Sequence, residues 1–169
     1  MRTSDMLVVS NTSPLSNLAI IGRLALVREQ FGGVVIPPAV QAELSLNPKS
    51  NARVALEAAL RDGWIRVMPL ASTVPRDLLS ALDPGEAQAL SLALQTKADL
   101  VLLDESAARR RAAQLGLQFT GALGILRWAK KTNRLPSLKE EVQRLRNEAR
   151  FFISPNLERG LLILSLIHI

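Results

Sequence analysis

The sequence predicts an α/β fold with a largely parallel sheet covered by helices on both faces. Two apolar runs carry the prediction, Met6–Ser10 and Asp99–Leu103. Neither alternates with polar residues, which is the pattern of strands buried on both sides. The third observation is order: strand-like and helix-like segments alternate along the whole chain, as parallel sheets with helical crossovers require. Each of the two runs stops on an oxygen-bearing side chain, Asn11 and Asp104. Open sheets of this class bind ligands outside the carboxyl ends of their strands. The pattern therefore predicts that Asn11 and Asp104 share one rim.

The remaining elements follow in turn. Pro14 opens a helix reaching about Arg28, its apolar side built from Leu15, Leu18, Ala19, Leu24, Leu26 and Val27, and Gly22 weakens or splits it. Gly32 and Gly33 end it, and Val34–Ile36 is a short strand. Pro37 and Pro38 start the next helix, which carries Val40, Glu43 and Leu44 until Asn47-Pro48 breaks it. A further helix spans about Ser50 to Arg61, Asp62-Gly63 is a turn, and Trp64–Met68 is a strand suited to an edge. Asp83-Pro84-Gly85-Glu86 has the chemistry of a capped helix start, with Glu86 three residues after Asp83. That helix runs to Gln95 or Thr96. Helices are predicted over Ser106–Leu115, Gly121–Lys131 and Leu138–Arg150, with a strand at Leu117–Phe119. Phe151–Pro155 is expected to pack a closing segment against the sheet, and Asn156–Ile169 to form a final helix. Neither repeats nor an interdomain linker interrupt the pattern, so residues 1–155 read as one domain and 156–169 as its apolar C-terminal helix or tail.

At 169 residues and 48% apolar content the chain has the means to build a sizeable core. It contains no cysteine, which excludes disulfides and thiolate metal sites. No signal-peptide pattern or membrane-length apolar run is present, and a cytoplasmic protein without a membrane partner is the expectation. The charge of +6 is unevenly spread: residues 1–105 carry 9 Lys/Arg and 11 Asp/Glu, whereas residues 106–150 carry 11 and 3. A carboxylate-bearing half followed by a strongly basic stretch suggests a polyanionic partner, although solvated helix faces account equally for any single cation.

The oxygen side chains that the elements bring toward the rim are Asn11, Glu43, Glu86 and Asp104, hard donors suited to Mg²⁺ or Mn²⁺. Individually, Asn11 can cap a helix, Glu86 can complete a capping box, and Glu43 can be a solvated charge. Asp104, after a buried strand, is the hardest to dismiss. Thr12 and Ser13 add hydroxyls. Arg109 lies nearly one and a half helical turns past Asp104 and is the best placed of Arg109–Arg111 to face the rim. Lys130 and Lys131 offer phosphate contacts or simply offset the macrodipole of their helix. The lone His168 is in the tail, so no Ser-His-Asp or Cys-His arrangement is credible.

Taken in order, the segments Val8–Leu15, Ile36–Val40 with Glu43 and Leu44, Gly85–Ala87, Ala98–Glu105 and Thr120–Leu126 resemble a PIN-domain protein over roughly residues 7 to 155. The resemblance is to the branch of predicted nucleic-acid-binding PIN proteins related to VapC-like toxin ribonucleases. It implies a Rossmann-like three-layer α/β/α sandwich, Mg²⁺- or Mn²⁺-dependent endoribonuclease activity on single-stranded or structured RNA, and often a cognate antitoxin. Carried over residue by residue, the catalytic carboxylates are Glu43, Glu86 and Asp104. The metal ligands are the same three with Asn11. From residue chemistry and spacing rather than from the family, Ser13, Arg109, Lys130 and Lys131 are the candidates for nucleic-acid binding. Asn11 departs from the family, which usually has Asp there, and so leaves open a non-catalytic nucleic-acid-binding module with a weakened metal site. The apolar tail from Leu161 to Ile169 and the habits of PIN relatives suggest a homodimer.

Overall fold

The computed structural model describes residues 5–167, excluding the side chains of residues 161, 162 and 164–167. Five strands are formed by Val8–Ser10 (β1), Val34–Ile36 (β2), Ile65–Val67 (β3), Leu100–Leu102 (β4) and Phe119–Thr120 (β5). The helices are Thr12–Ile20 (α1), Ala25–Phe31 (α2), Pro38–Ser45 (α3), Ser50–Asp62 (α4), Arg76–Ala81 (α5), Pro84–Thr96 (α6), Ser106–Gln114 (α7), Ala122–Lys131 (α8), Leu138–Glu148 (α9) and Pro155–Ile167 (α10). All strand pairs are parallel, in the order β3-β2-β1-β4-β5. The sandwich expected from the sequence is the fold observed.

The missing polar alternation has a direct cause. Val8, Val34, Ile36, Ile65 and Leu102 point to one face, where they are buried against α1, α2, α4, α8 and α9. Val9, Val35, Val101 and Leu103 point to the other, against α5, α6 and α7. Both faces of every central strand are thus covered, and each large side chain removed from water contributes about 1.5–3 kcal/mol. Ala108 and Ala112 let α7 approach the second face closely, and both are fully buried.

The first helical stretch is split in two, as Gly22 allowed, and Gly22 adopts a positive φ of 73° between the halves. The helix α5 was not foreseen: its six residues are too few for a periodic signal, and only Leu78 is buried. β5 sits at Phe119–Thr120, displaced toward the C-terminus from the expected Leu117–Phe119. The closing segment behaves unevenly. Ile153 is buried and Phe151 rests on the core, but Phe152 faces water. α10 is tied to α9 by the Arg146–Glu158 ion pair at 2.6 Å. His168, Ile169 and most of the tail side chains invoked for a dimer contact lie outside the described residues. Among the described residues no helix is long and apolar enough to cross a membrane.

Candidate active site

In the order β3-β2-β1-β4-β5, successive crossovers leave β1 in opposite directions, and the crevice between β1 and β4 opens at their carboxyl ends. The registers Val9↔Val101 and Ser10↔Leu102 align the two strand ends, and the Asn11 N–H donates to Leu102 O at 3.0 Å. Asn11 and Asp104 therefore stand at one rim.

Asn11 is 3% exposed and is the N-cap of α1, yet its side chain caps nothing. Its Oδ1 is buried without a hydrogen-bond partner. An orphaned amide oxygen costs about 1–3 kcal/mol unless something outside the chain satisfies it. The side chain therefore does not act as a cap, and a buried acceptor is left unsatisfied on the residue that follows β1.

Asp104 is held from two sides. Ala122 N–H donates to its Oδ1 at 2.8 Å, and Asn17 Nδ2 donates to its Oδ2 at 2.9 Å. Burial pushes its carboxyl above the usual range and Glu105 adds to this, against the opposing pull of the Ala122 and Asn17 hydrogen bonds and of the Arg109 charge. Arg109 is fixed in turn, its Nε donating to Leu103 O at 2.8 Å and its guanidinium lying 5.5 Å from the Phe119 ring centre. Gly121 makes this knot possible, because a Cβ there would lie 2.7 Å from Leu103 O and against Asp104 and Arg109. The Thr120–Gly124 segment thus spends a backbone donor on Asp104.

Glu43 projects from the half-buried side of α3 and accepts from Thr12 Oγ1 at 2.7 Å. The start of α6 comes close to it: a Cβ on Gly85 would sit 3.0 Å from Glu43 Cδ. The next residue, Glu86, is 6% exposed and completes the capping box, accepting from Asp83 N at 3.2 Å while Asp83 Oδ1 accepts from Glu86 N at 2.8 Å. Burial raises its pKa to about 7, with the charges of Asp83 and Glu105 adding to the rise and the Asp83 backbone hydrogen bond opposing it. Ser13 Oγ donates to Glu105 Oε1 at 3.3 Å, so Ser13 is at the rim. Lys130 and Lys131 are not. They occupy the C-terminal end of α8, about 12 Å along the axis from Ala122 at ~1.5 Å per residue, and Lys130 Nζ donates to Pro136 O at 3.2 Å.

Asn17 is the positioning residue that sequence reasoning missed. The available signal was its polarity beside Leu15, Leu18 and Ala19, one helical turn after Ser13.

The donor set suits a hard divalent cation: every group is an oxygen, and one of them is orphaned. Among the described residues no three acidic or histidine side chains form a metal-binding group on their own. Mg²⁺ does not require one, since it keeps several waters and uses one or two carboxylates with substrate phosphates. The residues fit such an ion in that manner.

The shifted carboxylates set the sign of a stability test. Glu86 ionises at about 7 when folded, against a reference of 4.5. Its contribution is fully present below the unfolded pKa and is lost as pH rises through the folded one. Asp104, also raised, acts in the same direction. In chelator, the urea midpoint is expected to fall between pH 5 and pH 8, and to fall less in Glu86→Gln. An equal fall in both proteins would show that Glu86 ionises without strain.

Compared with known protein families, residues 7–165 match the family described as PIN domain. Among curated proteins, no match is found.

Proposed function

This chain belongs to the PIN-domain family, a family of nuclease-type fold acting on nucleic acid with divalent metals, and from that premise we propose that it is a Mg²⁺- or Mn²⁺-dependent endoribonuclease. The reading is supported by an unsatisfied buried amide oxygen at Asn11 and a doubly held carboxylate at Asp104, on residues that follow the aligned carboxyl ends of two paired strands. Asn11 and Asp104 would hold the ion, with Glu43 and Glu86 reaching it directly or through water. When bound, the ion supplies charge neutralisation at the phosphate and acidification of a water for in-line attack.

The chain's own residues do the rest. Ala122 N–H and Asn17 Nδ2 fix the Asp104 carboxylate in one orientation, so no reorganisation is needed when substrate arrives. Thr12 holds Glu43 in the same way. Before an ion is bound, burial holds Glu86 at a pKa of about 7, so it exchanges a proton near neutrality, and the charge of a bound ion would favour its ionised form. Arg109 places positive charge beside Asp104, where a phosphate would approach. A toxin role with a cognate antitoxin, and a homodimer, extend this reading without altering the chemistry.

The rival is a nucleic-acid-binding module on the same fold, and the neutral Asn11 favours it by removing one charge from the site. Asn11→Asp separates the two. A working nuclease cleaves RNA in Mn²⁺ as it stands, and the substitution leaves activity similar or reduces it. A binding relic cleaves nothing, and the substitution tightens Mn²⁺ binding severalfold through the added ligand charge. RNA cleavage assays with calorimetric Mn²⁺ titrations distinguish them. Inactive wild-type protein that gains Mn²⁺ affinity as Asp would sink the nuclease reading.

A further inference from the structure

The chain has only four phenylalanines and two tryptophans, yet Phe119, Phe151 and Phe152 line one cavity of about 420 Å³ that opens beside Asp104. That volume lies within the roughly 300–1,000 Å³ of small-ligand sites. Phe152 is 87% exposed, the most exposed large apolar side chain among the described residues. Its ring contributes little to the core and stands where a flat ligand can reach it. Arg109 and Arg127 share the cavity wall. Arg127 makes no ion pair among the described residues. A second hollow of about 400 Å³, which includes Arg150, shares Asp104, Ser106, Phe151 and Phe152 with the first. The two aromatic residues and Asp104 thus border both hollows.

We propose that Phe152 is a stacking platform for a base of single-stranded RNA seated in this cavity, with Arg109 and Arg127 taking the adjoining phosphates. The inference deepens the ribonuclease reading and rests on it. An aromatic ring beside guanidinium groups is the chemistry of single-strand recognition, since every base offers a π face and every linkage a negative charge. A duplex keeps its bases stacked on each other, so the platform selects unpaired RNA. A protein partner laid on the same surface would have to bury two guanidinium groups and Asp104, at a cost that pairing with phosphate avoids for the cations.

The test compares wild-type protein with Phe152→Ala and Phe152→Trp. Binding of a short single-stranded RNA and of the same sequence as a duplex is followed by fluorescence anisotropy in chelator. Cleavage of the single strand is followed separately in Mn²⁺. Phe152 is exposed, so both variants should fold, and circular dichroism checks this. Phe152→Ala is expected to bind the single strand about tenfold more weakly, as loss of one stacking partner does, with no change on the duplex. Phe152→Trp should retain affinity and show quenched tryptophan fluorescence on adding RNA. If Phe152→Ala binds the single strand as wild type does while wild type cleaves RNA, the stacking proposal falls and the nuclease reading stands. The exposed ring would then be free to dock a protein. If binding depends on Phe152 but no RNA is cleaved, the platform stands and the nuclease reading falls. Wild-type protein that binds no RNA overturns both.

Discussion

Asp104→Asn is expected to reduce RNA cleavage in Mn²⁺ by at least about 10²–10³-fold, the scale on which a preorganised electrostatic contact is lost, while the protein remains folded. The substitution is isosteric. Its Oδ1 can still accept from Ala122 N–H, and the facing Asn17 amide can turn its oxygen toward the new amide, so both supports survive in altered form. What disappears is the negative charge at the carboxyl end of β4. Removing a buried, raised-pKa carboxylate should also leave stability unchanged or improved at pH 8, since the burial cost of its charge is gone. The measurements are initial cleavage rates and urea midpoints on the same preparations. Equal cleavage by both proteins would assign the activity to a contaminant or the chemistry to other residues.

Gly121→Ala is expected to be the second most damaging change, though it touches no substrate. The added Cβ would lie 2.7 Å from Leu103 O, a backbone atom at the end of the central sheet that also accepts from Arg109 Nε. It would press on Asp104 and Arg109 at once. Relief requires Asp104 to leave the Ala122 N–H or Arg109 to leave Leu103 O. A displacement of about 1 Å at a reacting centre costs on the order of 10²-fold in rate, and overpacking of this kind costs about 1–3 kcal/mol in stability. The rate loss should therefore exceed what partial unfolding explains. Single-turnover cleavage with a parallel denaturation curve would show this, and a full rate from a destabilised protein would mean that Asp104 tolerates movement.

The elements legible in the sequence were those whose signals are local. Asp83 and Glu86 announced their capping box, Gly22 and Gly63 their helix ends, and the β1 and β4 runs their burial on two faces. Asn11 and Asp104 were legible because strand polarity in a parallel sheet decides which end faces the ligand. Whatever depended on a neighbour distant in the chain was hidden. Nothing near Asn17 tells that it will meet Asp104, 87 residues on. Nothing near Phe152 distinguishes it from Phe151, although one faces water and the other the core. The apolar pair reads as packing, and only the packed helices decide which ring is left out. Position along a helix was likewise not legible from charge alone: Lys130 and Lys131 cluster in the chain but stand at the end of α8 away from the rim.

The place of β1 at the centre of the sheet also sets when the molecule can act. The strand made first waits for a partner, β4, that lies about 90 residues downstream, and the donor that steadies Asp104 comes later still, at Ala122. At the ~5–20 residues per second of protein synthesis, that gap lasts on the order of 5–20 seconds. Throughout it the Asn11 carbonyl has no rim to belong to and Asp104 does not yet exist. Until both segments have been made the rim is incomplete, so the early part of the growing chain carries no assembled site beside the ribosome, whose own substance is RNA. The strand permutation that brings Asn11 and Asp104 to one rim is thus also a delay, and it withholds the site until the segment through Ala122 has been made.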